Sequence, residues 1–407
     1  MKVLQINKFF FLKGGSEAYL FSLIDGLRGH GIDVAEFSMR DSRNRQSDYE
    51  QYFVSNVDYE TNKLAEKIRF GFNIIYSIEA KKNISKLLDD YNPDLVHLHI
   101  FQHQLSPSIL PEIKKRNIPI VYTAHDLKKI CPNYKMLSKG HVCEECLGHR
   151  YYKCVENKCV KDSYVKSAIC CLEAYIHLWL RYYDLVDIII TPSMFFRNKL
   201  IEFGFPAKKV IYVPNFIDEE QFKPHYDNEG YFIYFGRLSE EKGVLTLVDA
   251  MKRIRRGKLV IVGTGPLGDL IKSKIKFLGL NNVELVGFQT GAALKNYVSN
   301  SMFSVMPSEW YENGPISLLE SFAMGKPVVG ADIGGIPEHI AHNRDGLIFE
   351  SKNSEDLAKK INTLLNDPEK LKTMAIAARK KAMDFYAKEK HIKTILKLYE
   401  QLINQSH

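Results

Sequence analysis

No stretch of this 407-residue chain approaches the ~18 consecutive apolar residues that cross a bilayer as a helix. The nearest, Ala168 to Leu180, is interrupted by Glu173 and His177. The apolar core of a secretory signal is lacking too, and Met1-Lys-Val-Leu-Gln-Ile reads as a strand. No charge of one sign dominates. The 56 Lys and Arg against 48 Asp and Glu leave +8 spread over the whole length, a weak pull towards anions that argues against a nucleic-acid partner. The expectation is a cytoplasmic protein, with peripheral contact on the inner face of the cell membrane as the membrane role left open. In that compartment the seven Cys are reduced or metal-bound rather than a disulfide framework.

What the chain does have is apolar mass. Its 45% hydrophobic and 12% aromatic residues suffice for buried cores and exclude a disordered polymer. At roughly 150 residues per domain, the length predicts two or three domains. The apolar runs fall into two alternating strand–helix blocks. Val3 to Ile6 is a strand, Gly14-Gly15 breaks the chain, and Ser16 with Glu17 opens a helix carried by Tyr19, Leu20, Leu23, Ile24 and Leu27. Strands follow at Ile32–Phe37, Leu95–His99, Ile120–Thr123, Val186–Ile190 and Val210–Val213. A polar stretch from Pro214 to Gly230 reads as a linker. Strands resume at 231–235, 258–262, 283–286, 302–306 and 327–330, and the last 50 residues are helical. This predicts an α/β chain of two doubly wound, Rossmann-like domains facing a central cleft, residues 1–217 and 218–387.

Several motifs sit where such folds bind ligands. Arg237 leaves the carboxyl end of the strand Tyr231–Phe235, and Lys242 precedes a helix near Val244. Together they offer a guanidinium fork, a compact charge and a helix end to a phosphate, or they are solvated partners of Glu240 and Glu241. Pro315 suits a first helical position, leaving Asn313 and Gly314 with backbone amides at a positive helix end. Glu312 lies before that helix. Glu320 lies inside it among Leu318, Leu319 and Phe322 and should be partly buried. Gly263-Thr-Gly265-Pro-Leu-Gly268, with Glu284 about 20 residues on, competes as a dinucleotide fingerprint. Pro266 in the turn and a mid-strand Glu284 favour a plain strand-to-helix turn. His125 ends a strand, and His97 and His99 one strand earlier read as structural.

In chain order, Gly14-Gly15-Ser16-Glu17, Thr123-Ala124-His125-Asp126, Gly236-Arg237…Glu241-Lys242-Gly243, the pair Glu312 and Glu320 separated by seven residues, and Gly334-Gly335-Ile336-Pro337-Glu338 resemble family 4 glycosyltransferases of the GT-B fold. The resemblance covers nearly the whole chain. It implies a retaining, nucleotide-sugar-dependent enzyme, a UDP-sugar being the commonest donor in the family. It implies that Arg237 and Lys242 clamp the donor diphosphate and that Glu320 holds the ribose. Glu312, with the backbone of Asn313, Gly314, Pro315 and Ile316, would hold the transferred sugar. Gly15 would make room for the diphosphate and His125 would contact the sugar, so His125 and Glu312 are the expected catalytic residues. The final helix, 388–407, would pack back on the first, acceptor-side domain. The sequence has no Asp-x-Asp pair, so no catalytic metal is expected. A nucleotide-sugar epimerase or a phosphorylase on the same fold, and a Rossmann oxidoreductase using NAD, are the alternative classes.

The acceptor is expected to be a glycan or a lipid-linked sugar in cell-surface polysaccharide synthesis. Lys63, Lys67, Arg69, Lys81, Lys82 and Lys86 surround Phe70, Phe72, Ile74 and Ile75, a mixture suited to an anionic membrane surface or to basic solvent faces of a helical pair. One segment, 131–159, departs from the family core. Its Cys143-x2-Cys146, Cys154 and Cys159 have the reach for a structural zinc site, with Cys131 as a substitute ligand. An iron–sulfur cluster or plain reduced thiols also fit that spacing. Cys170 and Cys171 read as packing residues.

Overall fold

Parallel strands covered on both faces carry apolar side chains at every position rather than at alternate ones. Tyr231, Phe232, Ile233 and Tyr234 are accordingly all buried. Phe232 and Tyr234 face one core with Leu259 and Ile261, whereas Tyr231 and Ile233 face another with Val260 and Val262. In the computed structural model, which describes residues 1–56 and 71–406, this pattern repeats in two units. One comprises Met1–Lys139, Cys143–Val213 and His391–His407; the other comprises Gly140–Val142 and Pro214–Lys390.

The first unit is built on a six-stranded sheet ordered β2-β1-β3-β4-β7-β8. Its strands are β1 (Lys2–Ile6), β2 (Asp33–Phe37), β3 (Leu95–Leu98), β4 (Ile120–Thr123), β7 (Ile188–Thr191) and β8 (Val210–Tyr212). Two-residue strands β5 (Leu137–Ser138) and β6 (His141–Val142) lie in the cysteine segment. The second unit orders its sheet β11-β10-β9-β12-β13-β14. These strands are β9 (Tyr231–Phe235), β10 (Lys258–Val262), β11 (Val283–Gly287), β12 (Ser304–Met306), β13 (Val328–Ala331) and β14 (Gly346–Phe349). Every pairing in both large sheets is parallel. In each sheet the strand order reverses beside the first strand, between β1 and β3 and between β9 and β12. The carboxyl ends there open a crevice in which folds of this type take ligands.

Three local expectations need correction. The first helix, Gly15–Gly29, is preceded by Gly14 in an extended conformation without a side-chain cap, because Ser16 Oγ donates instead to Glu17 Oε1 at 3.0 Å. The stretch from Pro214 belongs to the second unit rather than to a free linker: Ile217 N bonds Tyr386 O at 2.9 Å. Strand β14 has no counterpart in the sequence reading, although Asp345-Gly346 before Leu347-Ile348-Phe349 is a turn followed by an apolar run.

The final helix, Lys388–Ser406, lies with the first unit from His391 onwards. Ile392, Ile395, Tyr399 and Leu402 form its buried stripe, spaced at helical period. Among the described residues no helix is long and apolar enough to cross a membrane.

Candidate functional site

In the second unit the loops after β9 and β12, which flank the switch point, are tied to each other. Tyr234 Oη donates to the carbonyl of Arg237 at 2.7 Å, fixing the backbone while the Arg237 side chain stands exposed. Among the described residues that guanidinium has no hydrogen-bond or ion-pair partner. The turn Glu240–Lys242 then passes through Gly243 (φ +66°) into the helix Val244–Ala250. Glu309 N bonds Glu241 O at 2.9 Å, and Thr246 Oγ1 donates to Glu309 Oε1 at 2.5 Å.

Glu312 is the buried centre of this arrangement. Its Oε1 accepts from Lys242 Nζ at 2.6 Å and from Ser308 Oγ at 2.7 Å, and its carbonyl accepts from Gly335 N at 2.8 Å. The neighbouring Gly334 has φ +59°, and a Cβ there would stand 2.6 Å from Glu312 N. The Lys242 ammonium also lies 5.3 Å from the centre of the Trp310 ring, a cation–π distance. Burial by itself would raise the Glu312 carboxyl, but the Lys242 charge and hydrogen bond outweigh it and hold the group below its ordinary value. Glu320 has the opposite environment. Burial pushes it up to about 7, only partly offset by Lys295, and among the described residues its carboxyl has no hydrogen-bond partner.

The helix carrying Glu320 runs Ile316–Ala323, so Pro315 (φ −66°, ψ 123°) is its cap rather than its first residue. That moves the open amides from Asn313 and Gly314 to Ile316 and Ser317, whose partners four residues back would lie before the helix. Asn215 Nδ2 donates to Gly314 O at 2.7 Å and steadies the entry. The competing fingerprint is structural. A Cβ at Gly263 or Gly265 would strike the carbonyls of Gly236 or Leu238, so these glycines let two turns meet, and Glu284 pairs with Lys258 at 2.6 Å.

Gly15 and His125 belong to the first unit. Gly15 is exposed at the start of its helix, beyond the carboxyl end of β1. His125, just past β4, is half-buried and joins a network running through the sheet. His99 Nδ1 meets His125 Nε2 at 3.1 Å, His99 Nε2 meets Gln5 Oε1 at 2.8 Å, and His97 bonds Tyr399 Oη at 2.5 Å and Thr123 Oγ1 at 2.8 Å. Tyr19 Oη reaches His391 Nε2 at 2.8 Å, and its ring lies edge-on to His125 at 5.1 Å. Burial pushes His125 down to about 3 and holds His97 and His99 well below their ordinary value, so all three stay neutral near pH 7.

Residues 13–221 match the family model described as Glycosyltransferase Family 4, and residues 215–381 match Glycosyl transferases group 1. The chain belongs to glycosyltransferase family 4. A curated relative, an uncharacterized glycosyltransferase of Methanocaldococcus jannaschii, is 25% identical over 403 residues, 99% of each chain. Sucrose-phosphate synthase of Thermosynechococcus elongatus superposes with a TM-score of 0.76 at 19% identity, covering 99% of both chains. Anabaena HepE, solved with UDP-glucose, superposes with a TM-score of 0.69 at 18% identity, over 99% of this chain and 100% of that one. The fold is GT-B, with two Rossmann-like domains.

In this transferase Arg237 and Lys242 follow β9, and Glu312, Glu320 and Asn313–Ile316 follow β12, so all the residues expected to bind the donor lie beyond the carboxyl ends of neighbouring strands. The sequence reading did not anticipate that Lys242 and Glu312 would be paired, nor that Ser308 and Trp310 would complete the pair. Both lie within four residues before Glu312, but loop spacing carries no periodicity from which such contacts can be read. The partners of His125 were half-visible, since His97 and His99 are two apart on β3 and must share a face. Of the basic patch, Lys63, Lys67, Arg69 and Phe70 lie outside the described residues. Lys82, Lys86 and Phe72 are exposed, Ile74 and Ile75 are half-buried, and Lys81 Nζ is bonded to Tyr76 Oη at 2.7 Å; Ile78, not among the expected residues, is exposed beside them in sequence.

Proposed function

We propose that the enzyme is a retaining transferase moving a sugar from a nucleotide-diphosphate sugar, a UDP-sugar first among them, to a glycan or lipid-linked acceptor in cell-surface polysaccharide synthesis. The observation that carries this reading is the set of unlike groups at the β9–β12 switch point. The unpaired Arg237 guanidinium and the open amides of Ile316 and Ser317 suit a diphosphate. The unpartnered Glu320 carboxylate suits a pair of ribose hydroxyls. Glu312, already held by Lys242, keeps an ionised oxygen for the sugar. HepE's UDP-glucose complex on the same fold supports the donor class.

In the reaction, the bond from the anomeric carbon to the donor phosphate oxygen breaks while a bond to the acceptor oxygen forms on the same face. The acceptor proton passes to the departing phosphate oxygen. Arg237, Lys242 and the helix end offset the charge that grows on the leaving diphosphate. Gly15 admits the diphosphate, and the neutral His125 is available to hydrogen-bond the sugar. Peripheral contact with an anionic membrane, through the basic patch whose exposed described members are Lys82, Lys86 and Phe72, belongs to the same proposal.

Calorimetry with UDP tests the division of labour between the carboxylates. Glu320→Gln should weaken UDP about 10- to 100-fold, matching the ~1.5–3 kcal/mol of a charged hydrogen bond. Glu312→Gln should leave UDP affinity close to wild type and impair transfer. Because Glu320 must ionise to accept two hydroxyls, wild-type affinity should rise with pH through about 7, and Glu320→Gln should flatten that rise. Identical behaviour of the two variants would refute the assignment.

A further inference from the structure

Residues 131–159 have little of what usually holds a fold together. The segment contains two-residue strands and one four-residue helix, Lys153–Glu156. Seven of the chain's fourteen described non-glycine residues with positive φ fall between Tyr134 and Asp162. Such conformations are costly and persist only where the surroundings over-determine them. Between the cysteines lie Glu144, Glu145, Gly148, Asn157 and several Lys, which cannot build a core. Yet Cys131, Cys143, Cys146, Cys154 and Cys159, drawn from across 29 residues, all line one small cavity with room for about one water. None of them forms a disulfide.

We propose that Cys143, Cys146, Cys154 and Cys159 form a structural zinc site that organises this segment immediately after His125. Zinc takes four thiolates in a closed tetrahedron, and the thiols carry the soft, anionic donor set it prefers. Cys131 Sγ donates to Asn133 Oδ1 at 3.4 Å, a closer bond than the 3.9 Å from Cys159 Sγ to Ser138 Oγ, and Cys131 is set apart by what Asn133 holds. Asn133 in turn donates to the carbonyls of Leu137 (2.9 Å) and Cys159 (3.2 Å), a stitch across the segment that ligation of Cys131 would break.

A rival set lies nearby. His103, Cys170 and Glu173 bring three ligand atoms within 4.8 Å of one another, but Lys128 Nζ already sits 2.8 Å from Glu173 and supplies the positive charge there. The five thiols are spread more widely round their cavity. Four bonds of about 2.3 Å to one ion would draw its walls together, so binding tightens the segment as well as stabilising it.

The test uses the full chain, purified under reducing conditions without chelator. Elemental analysis should find about one zinc per chain, and titrating the thiols with an organomercurial should release that zinc to an indicator dye. Cys146→Ser and Cys154→Ser should lose the zinc, whereas Cys171→Ser, outside the cavity, should keep it. Should the Ser variants fail to fold, cobalt substitution of the unaltered chain decides the matter. Tetrahedral thiolate ligation gives intense visible bands and a sulfur-to-metal charge-transfer band. Limited proteolysis within 131–159 should slow when zinc is present. A folded, active chain that holds no zinc above background after zinc reconstitution would overturn the site. Iron with acid-labile sulfide in place of zinc would overturn the metal. Retention of zinc by Cys143→Ser and its loss by Cys131→Ser would overturn the ligand set.

Discussion

Replacing Lys242 by alanine should lower kcat/KM by about two decades, more than the loss of one phosphate contact would explain. The Lys242 ammonium is the partner that keeps buried Glu312 ionised. The variant loses a charge-assisted hydrogen bond to the leaving diphosphate, worth ~1.5–3 kcal/mol, and also the contact that holds Glu312 ionised for the sugar, which places the loss at the upper end. About 3 kcal/mol corresponds to roughly two decades in rate. Two consequences separate this from a simple charge deletion. Without Lys242, burial governs Glu312 and its carboxyl rises, so the variant's activity should fall at a higher pH on the acid side than the wild type's. Lys242→Arg should recover much of the rate, since it keeps the charge at some cost in geometry. The pair also bears on stability. A carboxyl held below its ordinary value of 4.5 in the folded state stabilises above that value, and the contribution fades as pH falls through the folded value. Near-wild-type turnover in both Lys242→Ala and Arg237→Ala would end the clamp assignment.

Gly243→Ala should be the more damaging change for folding. Gly243 adopts φ +66°, and an added Cβ would land on the carbonyl oxygen of Pro307. The left-handed conformation costs a non-glycine residue roughly 1–2 kcal/mol, and the backbone collision forces the β9 and β12 loops apart. Together these should cost about 3 kcal/mol in unfolding by denaturant and disturb the Lys242–Glu312 pair, so activity falls even where the protein remains folded. Unfolding and kinetics both within error of wild type would show that the loops move apart freely.

How far the sequence reached follows from what each signal encodes. The strands of both sheets were legible because a parallel sheet covered on both faces demands unbroken apolar runs, as at 231–235 and 258–262. Strand β14 slipped through because Gly346 to Phe349 is short and sits among charged residues. The residues proposed for the donor site stand out through order and spacing within a family resemblance; their pairing does not. Nothing in the string says that Lys242 reaches Glu312 across seventy positions, or that Glu320 stays alone. Pairing is a property of packed loops. The same holds for the histidine network, where strand alternation placed His97 and His99 on one face but could not supply Tyr399 from the far end of the chain. The cysteines stand between these cases. Their spacing pointed to one centre, and the fold brings all five to one cavity.

The most direct measurement mixes the full enzyme, without added divalent metal, with a UDP-sugar and a lipid-linked acceptor in vesicles bearing anionic lipid, and follows nucleotide release together with the anomeric configuration of the product. Release of UDP only when acceptor is present, with the donor's anomeric configuration kept in the new linkage, is the predicted result. UDP release or sugar isomerisation without acceptor, or a product of inverted configuration, would contradict retaining transfer from this site.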